Sequence, residues 1–499
     1  MRMLVSTVAG TALLMVAAWH LVGGADAMPR GLAGLATGEF DPAPVLAFEP
    51  NRGQAAPGVR FVSRGDGFAL LLSDAGAVLR RPAGDVGITL AGARRPAASG
   101  ADRLPGASHY FTGDDPGHWL HAVPRYRQAE FAGVHDGIDL SWRGHEGRVE
   151  LGFTLAPGAS PDLIAFDVEG AGLALDDDGD LRLAGEAGLL VLERPLAYQV
   201  VEGRQEAVDS RYRIVDADTA ALSFGRYDAG RPLVVVPVLA HRTSPADAGP
   251  WPGLVVALEA DAGVALWSVG SAMSANGDAD AYACRIDAAN AGPECAYFGG
   301  MGEDAALALA MGPDGGVHVA GTTRSGDFPM VAAHQARSGG ASDAFVLSID
   351  AAFERLAFST YLGGAGDEAA RGVAIDAAGV AYVTGDTSSR AFPTTAGTLQ
   401  GTNPPGDDAF VAKFDTDGTL AFATYLGGSA ADSGRRITLD EDGHVYVSGH
   451  TASADFPSLF PVIDATAGGQ GAFLARLHRD GGSLLDGTFL VAAVPPRVD

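Results

Sequence analysis

The chain has 499 residues, enough for two or three domains at roughly 150 residues each. Its 34 basic and 61 acidic residues leave a formal charge of −27. A surface so poor in cations lacks what counterion release from a phosphate backbone requires, which argues against nucleic acid as a partner. Glycine fills 69 positions, about twice ordinary usage, and fits a chain of many tight turns, so an all-β fold is the first expectation.

At the start of the chain, Arg2 precedes a mostly apolar run over 3–18, and Ala25-Asp26-Ala27 forms a small-x-small site of the kind signal peptidase cleaves. Trp19-His20 and Gly23-Gly24 interrupt the run before it reaches the roughly 20 apolar residues of a membrane span. The reading is a signal peptide over 1–27, a mature chain beginning near Met28, and no transmembrane segment after its removal. The mature protein is then expected to lie outside the cytoplasm, secreted, periplasmic or associated with a cell surface. Residues 28–43, rich in Gly, Ala and Pro, read as a flexible leader.

Residues 44–236 read as a separate all-β domain. Apolar, β-branched or aromatic runs at 59–63, 68–73, 138–142, 149–154, 189–192 and 211–215 are separated by turns such as Asp177-Asp178-Gly179-Asp180 and Glu202-Gly203. Five histidines, His109, His118, His121, His135 and His145, crowd this domain. Three imidazoles could bind zinc, but the spacing is irregular and no HExxH or His-x-His pair occurs, so scattered surface histidines are the preferred reading.

An internal repeat fills the remainder, 237–499. Tyr297-Phe298-Gly299-Gly300, Tyr361-Leu362-Gly363-Gly364 and Tyr425-Leu426-Gly427-Gly428 recur at intervals of 64. In the same register stand Gly321, Gly385 and Gly449, then the Phe-Pro pairs that begin at Phe328, Phe392 and Phe456. A second hairpin follows as DAFVLSID from Asp343, DAFVAKFD from Asp408 and GAFLARLH from Gly471. Each unit therefore holds four short β-forming runs joined by Asp-Gly-type turns, one antiparallel sheet that cannot cover its own faces. Radial stacking of such sheets solves that problem.

An upstream partial copy, with DAYACRID over 280–287, brings the count to four units near 240–296, 297–360, 361–424 and 425–491, the first degenerate and without Phe-Pro. The run 484–491 is expected to give the last unit its fourth strand, and 234–242 is a candidate to pair there and close a ring. The recurrent aromatics Tyr361, Tyr382, Phe392 and Phe410 are expected to pack between sheets. Cys284 and Cys295 align with Ala412 and Ala423, flanking a hairpin turn, and are expected to face each other across neighbouring strands as a disulfide.

On these motifs the chain resembles the bacterial SBBP-repeat proteins. The likeness rests on Tyr361-Leu362-Gly363-Gly364, Gly366-Asp367, the IDAAGVAYVTG stretch over 375–385, Phe392-Pro393 and DAFVAK over 408–413. The N-terminal part resembles the uncharacterised β domain that often precedes such repeats, through FEPNRGQ over 48–54, Tyr110-Phe111-Thr112-Gly113 and Gly137-Ile138-Asp139-Leu140. The resemblance implies an exported β-propeller with no established activity, seven-bladed by the family's name, where this chain has about four units.

Acidic turns at Asp415-x-Asp417-Gly418, Asp440-x-Asp442-Gly443 and Asp176-x-Asp178-Gly179-Asp180 resemble fragments of calcium loops. They lack the closing bidentate Glu, and Asp-Gly is itself a hairpin turn, so no metal ligand and no cofactor is assigned. No Gly-x-Ser-x-Gly occurs and no catalytic residue is assigned. The expected function is a non-enzymatic, exported β-propeller acting in binding, adhesion or envelope or extracellular assembly, with a protein or glycan as its unknown ligand. The alternative is an extracellular carbohydrate hydrolase or lyase using the aligned acids Asp304, Glu368 and Asp432.

Overall fold

The computed structural model describes residues 46–65, 67–145, 148–186, 188–241, 265–287, 293–403, 406–459 and 471–490. The expected signal peptide and leader lie outside these residues. Within them the chain is all-β, with two short 3-10 turns at Pro116–His118 and Pro161–Leu163 and no α-helix. No helix among them is long and apolar enough to cross a membrane.

The N-terminal part is built from two sheets. One has eight strands, running from Glu49–Pro50 to Ser210–Ile214, and the other belongs to a larger twelve-stranded sheet. Alternation along the strands puts Phe61, Leu70, Ile88 and Phe166 of the first against Phe131, Trp142, Phe153 and Leu192 of the second, forming the largest apolar core. Strand Leu233–His241 lies inside this domain, between Arg148–Leu155 and Gly188–Val201. The pairing of 234–242 with the last unit, which would close a ring, therefore does not occur: the Val-rich run pairs on both edges where the N-terminal core covers it.

Three repeats form independent four-stranded antiparallel sheets. They run over Asp304–Leu362, Glu368–Leu426 and Asp432–Leu490, each strand pairing with the next in sequence. Strand Leu484–Leu490 supplies the last of them by pairing with Gly471–Leu477. Each sheet lies a few residues downstream of its sequence unit, because Tyr-Leu closes one sheet and Gly-Gly crosses to the next. Apolar seams separate successive sheets, with Phe328, Phe345 and Phe353 in the first, Phe358, Phe392 and Phe410 in the second, and Phe422, Phe456 and Phe473 in the third.

The degenerate first unit contributes only three described strands, Ala265–Met273, Ala279–Asp287 and Glu294–Gly299. Its fourth comes from the N-terminal domain. Strand Ala97–Thr112 pairs antiparallel with Leu120–His135 on one edge and parallel with Glu294–Gly299 on the other. The two halves of the chain thus share a continuous sheet.

Among the described residues no further sheet packs on the outer face of the fourth. The second sheet meets the third with buried Ala308, Ala320, Val346 and Phe358, whereas the equivalent positions of the fourth hold Arg436, Ser448, Leu474 and Asp486, none of them buried. Such a face suits solvent and not another seam.

Candidate functional site

Two repeated signatures form one local structure. The Tyr361 hydroxyl donates to the Ser325 carbonyl at 2.6 Å and accepts from the Phe328 amide at 3.0 Å. Tyr425 does the same with Ser389 and Phe392, at 2.8 and 2.9 Å. Each loop carries its Phe onto the neighbouring strand, Phe328 on Phe345, Phe392 on Phe410 and Phe456 on Phe473, with ring centroids 4.6, 4.8 and 4.3 Å apart, the last without the hydroxyl bridge because Phe489 stands at the Tyr position. Tyr297 differs, because the first unit lacks this loop. It stacks on Tyr110 instead, and the guanidinium of Arg64 lies over both rings.

Gly321, Gly385 and Gly449 sit where the first strand of each sheet bulges. A Cβ at Gly385 would stand 1.9 Å from the Ala369 carbonyl oxygen, so no other residue fits. Cys284 and Cys295 are register partners, Cα atoms 4.1 Å apart, and form a disulfide. Their aligned positions Ala412 and Ala423 are register partners too.

The acids Asp304, Glu368 and Asp432 each open the first strand of a sheet and are buried, at 1%, 2% and 2% exposure. Each accepts from the amide of the second glycine of the crossing, Gly300 at 3.1 Å, Gly364 at 2.9 Å and Gly428 at 2.7 Å. Hydroxyls complete the setting: Ser325 and Ser453 donate to Asp304 and Asp432 at 2.7 Å, and Thr387 donates to Glu368 at 2.6 Å.

Each of these acids faces a second buried acid from the preceding unit: Asp280, Asp343 and Asp408. The first glycine of the crossing makes room for the pair. A Cβ on Gly427 would stand 1.9 Å from Asp408 Oδ1 and 2.8 Å from Asp432 Oδ2, and Gly299 and Gly363 are placed likewise.

Burial pushes Asp280 up to about 8, against the lowering pull of Arg64. It also pushes Asp304 to about 7. Asp408 rises to about 7, with Asp432, Asp407 and Asp455 adding to the effect of burial. Asp343 and Glu368 are raised for the same first reason, although amides and hydroxyls oppose it. Sequence reasoning singled out one acid of each pair and missed its partner, along with the serines. The signal was present, since Asp343 and Asp408 open the recurrent DAF runs and Ser325, Ser389 and Ser453 recur at 64.

The histidines do not converge as a set. His118 is exposed, His109 bonds Glu294 at 2.9 Å, and His121 lies beside His109 with ring centroids 6.0 Å apart. His109 and His135 are buried, which corrects the surface reading for those two: both lie on strand stretches covered on both faces, where their neighbours are buried as well. The side chain of His145 is not among those described. The acidic turns are Asx turns. Asp176 accepts from the amides of Asp178 and Asp180, and Asp440 from those of Asp442 and His444. Asp440, Asp442 and His444 do converge, but Arg476 donates to Asp440 at 2.8 Å and contacts His444 at 2.9 Å, so a guanidinium already supplies the positive charge there.

The fold and these repeated contacts define an all-β protein with a β-propeller scaffold. Residues 421–457 match the model of the beta-propeller repeat family SBBP, and residues 48–238 match the domain of unknown function DUF7948. The chain therefore carries propeller repeats behind the β domain that its N-terminal motifs resemble. Among curated proteins none matches it. Among solved structures, a gluconolactonase from Xanthomonas campestris is similar at 13% identity, over 74% of this chain and 88% of that one, with a TM-score of 0.22, a likeness too slight to bear on function.

Proposed function

We propose that the chain is exported and acts without catalysis, as a rigid β-propeller scaffold whose loops bind a protein or glycan in adhesion or in envelope or extracellular assembly. The observation that carries this reading is the state of Asp304, Glu368 and Asp432. A propeller hydrolase or lyase would present such acids to substrate, yet here they are buried, tied to their own crossings and repeated from sheet to sheet. Loops on a well-packed scaffold are the usual place for recognition. The apolar run and the Ala25-Asp26-Ala27 site support export.

The test is a glycan and protein-binding array screen on the purified chain, joined to fractionation and N-terminal sequencing of the native protein. Saturable binding without turnover, and an N-terminus near Met28 in exported material, are expected. Turnover of a bound glycan, or a full-length chain held in a membrane fraction, would overturn the reading.

A further inference from the structure

The buried acid pair occurs at three seams, and its surroundings differ at each. In the first, Asp280 lies within the field of Arg64, brought in by the N-terminal domain, and Asp304 accepts from Gly300 and Ser325, with one oxygen of each acid left unpartnered among the described residues. In the second, Asp343 accepts from the amides of Gly339 and Gly340 at 2.7 and 2.9 Å and from Gln335 at 3.2 Å. Glu368 has a donor on each oxygen there.

The third seam gives Asp408 neither device. Asp408 is fully buried, and among the described residues neither of its carboxylate oxygens has a hydrogen-bond partner. Oδ1 of Asp432 is also unpartnered. Gln400, which corresponds to Gln335, donates instead to the Gly427 carbonyl at 3.0 Å. The charged groups acting on Asp408 are all acids, Asp432, Asp407 and Asp455.

Buried carboxylates that lack donors and cations are costly unless something else binds their oxygens. We propose that the seam between the third and fourth sheets binds one hard divalent cation of the calcium class between the carboxylates of Asp408 and Asp432. All the free valences are carboxylate oxygens, which selects a hard cation over zinc or copper. Without a Cβ, Gly427 lets the two carboxylates come together over its backbone, Asp408 Oδ1 and Asp432 Oδ2 standing 1.9 and 2.8 Å from where that Cβ would be. Exposed Asp407 and Asp455 carry the negative field to the surface and draw the cation in. Water completes a shell that two carboxylates leave short.

Calorimetric titration of CaCl2, with MgCl2 in parallel, into the chelator-stripped full chain at pH 7.5 tests this, together with thermal unfolding under the same conditions. One saturable site per chain and a rise in melting temperature are expected with calcium. Asp408→Asn and Asp432→Asn should each weaken binding at least tenfold, while Asp343→Asn and Asp440→Asn leave it unchanged. In chelator, Asp408→Asn should melt above the parent chain, because it removes an uncompensated buried charge. The absence of saturable heat from either cation with the parent chain would overturn the proposal, whatever the variants do. So would binding that survives Asp408→Asn or is lost in Asp440→Asn.

Discussion

Tyr110 of the N-terminal domain and Tyr297 of the first repeat are register partners on parallel strands, and their rings stack 5.0 Å apart at 13°. Phe111 and Phe298, one position on, stack as well at 5.6 Å. The Tyr-Phe motif of the N-terminal domain therefore replaces the missing fourth strand and the missing Phe-Pro loop of the degenerate unit together. Arg64 locks the junction: it donates to the Tyr110 hydroxyl at 2.5 Å and stands 3.7 Å from Glu49, both acidic and basic side chains being nearly fully buried.

That burial sets the first prediction. Arg64→Met removes one of the two guanidinium groups beside buried Glu49, leaving Arg125 at 3.9 Å, which should destabilise the chain by about 3 kcal/mol, the low end for a broken buried pair. Adding Glu49→Gln should recover part of the loss, since the two residues couple directly. Urea unfolding of both singles and the double provides the cycle. Additive losses would show that the pair does not couple.

The disulfide gives a second expectation. The bond Cys284–Cys295 closes a loop with a sequence separation of 11, so its removal by Cys284→Ala with Cys295→Ala should cost about 2 to 3 kcal/mol. Thiol titration of the unfolded, unreduced chain should find no free thiol. Two per chain would contradict the bond.

How much of this was legible in the sequence follows from how local each feature is. The 64-residue register placed each of Tyr361, Gly385 and Phe392 at a point repeated in the neighbouring units, and the hairpin alignment placed Cys284 opposite Cys295, because neighbouring strands follow directly in sequence. The parallel pairing of Ala97–Thr112 with Glu294–Gly299 joins segments far apart in the chain, and no short-range pattern marks it. The pairs Asp280/Asp304, Asp343/Glu368 and Asp408/Asp432 were half visible. Aligned acids stand out within a unit, but each pair is completed across the boundary between two units. The burial of His109 and His135 depended likewise on strand facing within the shared sheet.

The Tyr hydroxyl bridge predicts a third effect. Tyr361→Phe keeps the ring in its seam but leaves the Phe328 amide and the Ser325 carbonyl without their buried partner. The expected loss is about 1 to 3 kcal/mol, read as a lower urea midpoint at unchanged slope. Tyr425→Phe, which removes the equivalent bridge to Phe392 and Ser389, should lose a similar amount. A midpoint unchanged in both variants would mean that the bridge contributes nothing to holding the Phe-Pro loop.

The last prediction concerns acid stability. His318 is buried on the second strand of the second sheet, its ring centroid 6.0 Å from that of Phe358 and its Nδ1 without a hydrogen-bond partner among the described residues. Burial lowers it to about 4, with Asp314 opposing the shift. The unfolded chain therefore takes up a proton on this residue at higher pH than the folded chain does. Between about pH 6.5 and 4 the unfolded state binds more protons, so stability must fall as pH falls through that window, by on the order of 2 to 3 kcal/mol at its lower end. Above the window His318 is neutral in both states and adds no slope. His318→Phe should flatten the dependence between pH 4 and 6.5 while leaving stability near pH 7.5 little changed, since an aromatic ring of similar shape still packs on Phe358. Urea midpoints measured across that range for parent and variant decide it: parallel curves would show that His318 takes up its proton as readily in the folded chain as in the unfolded one.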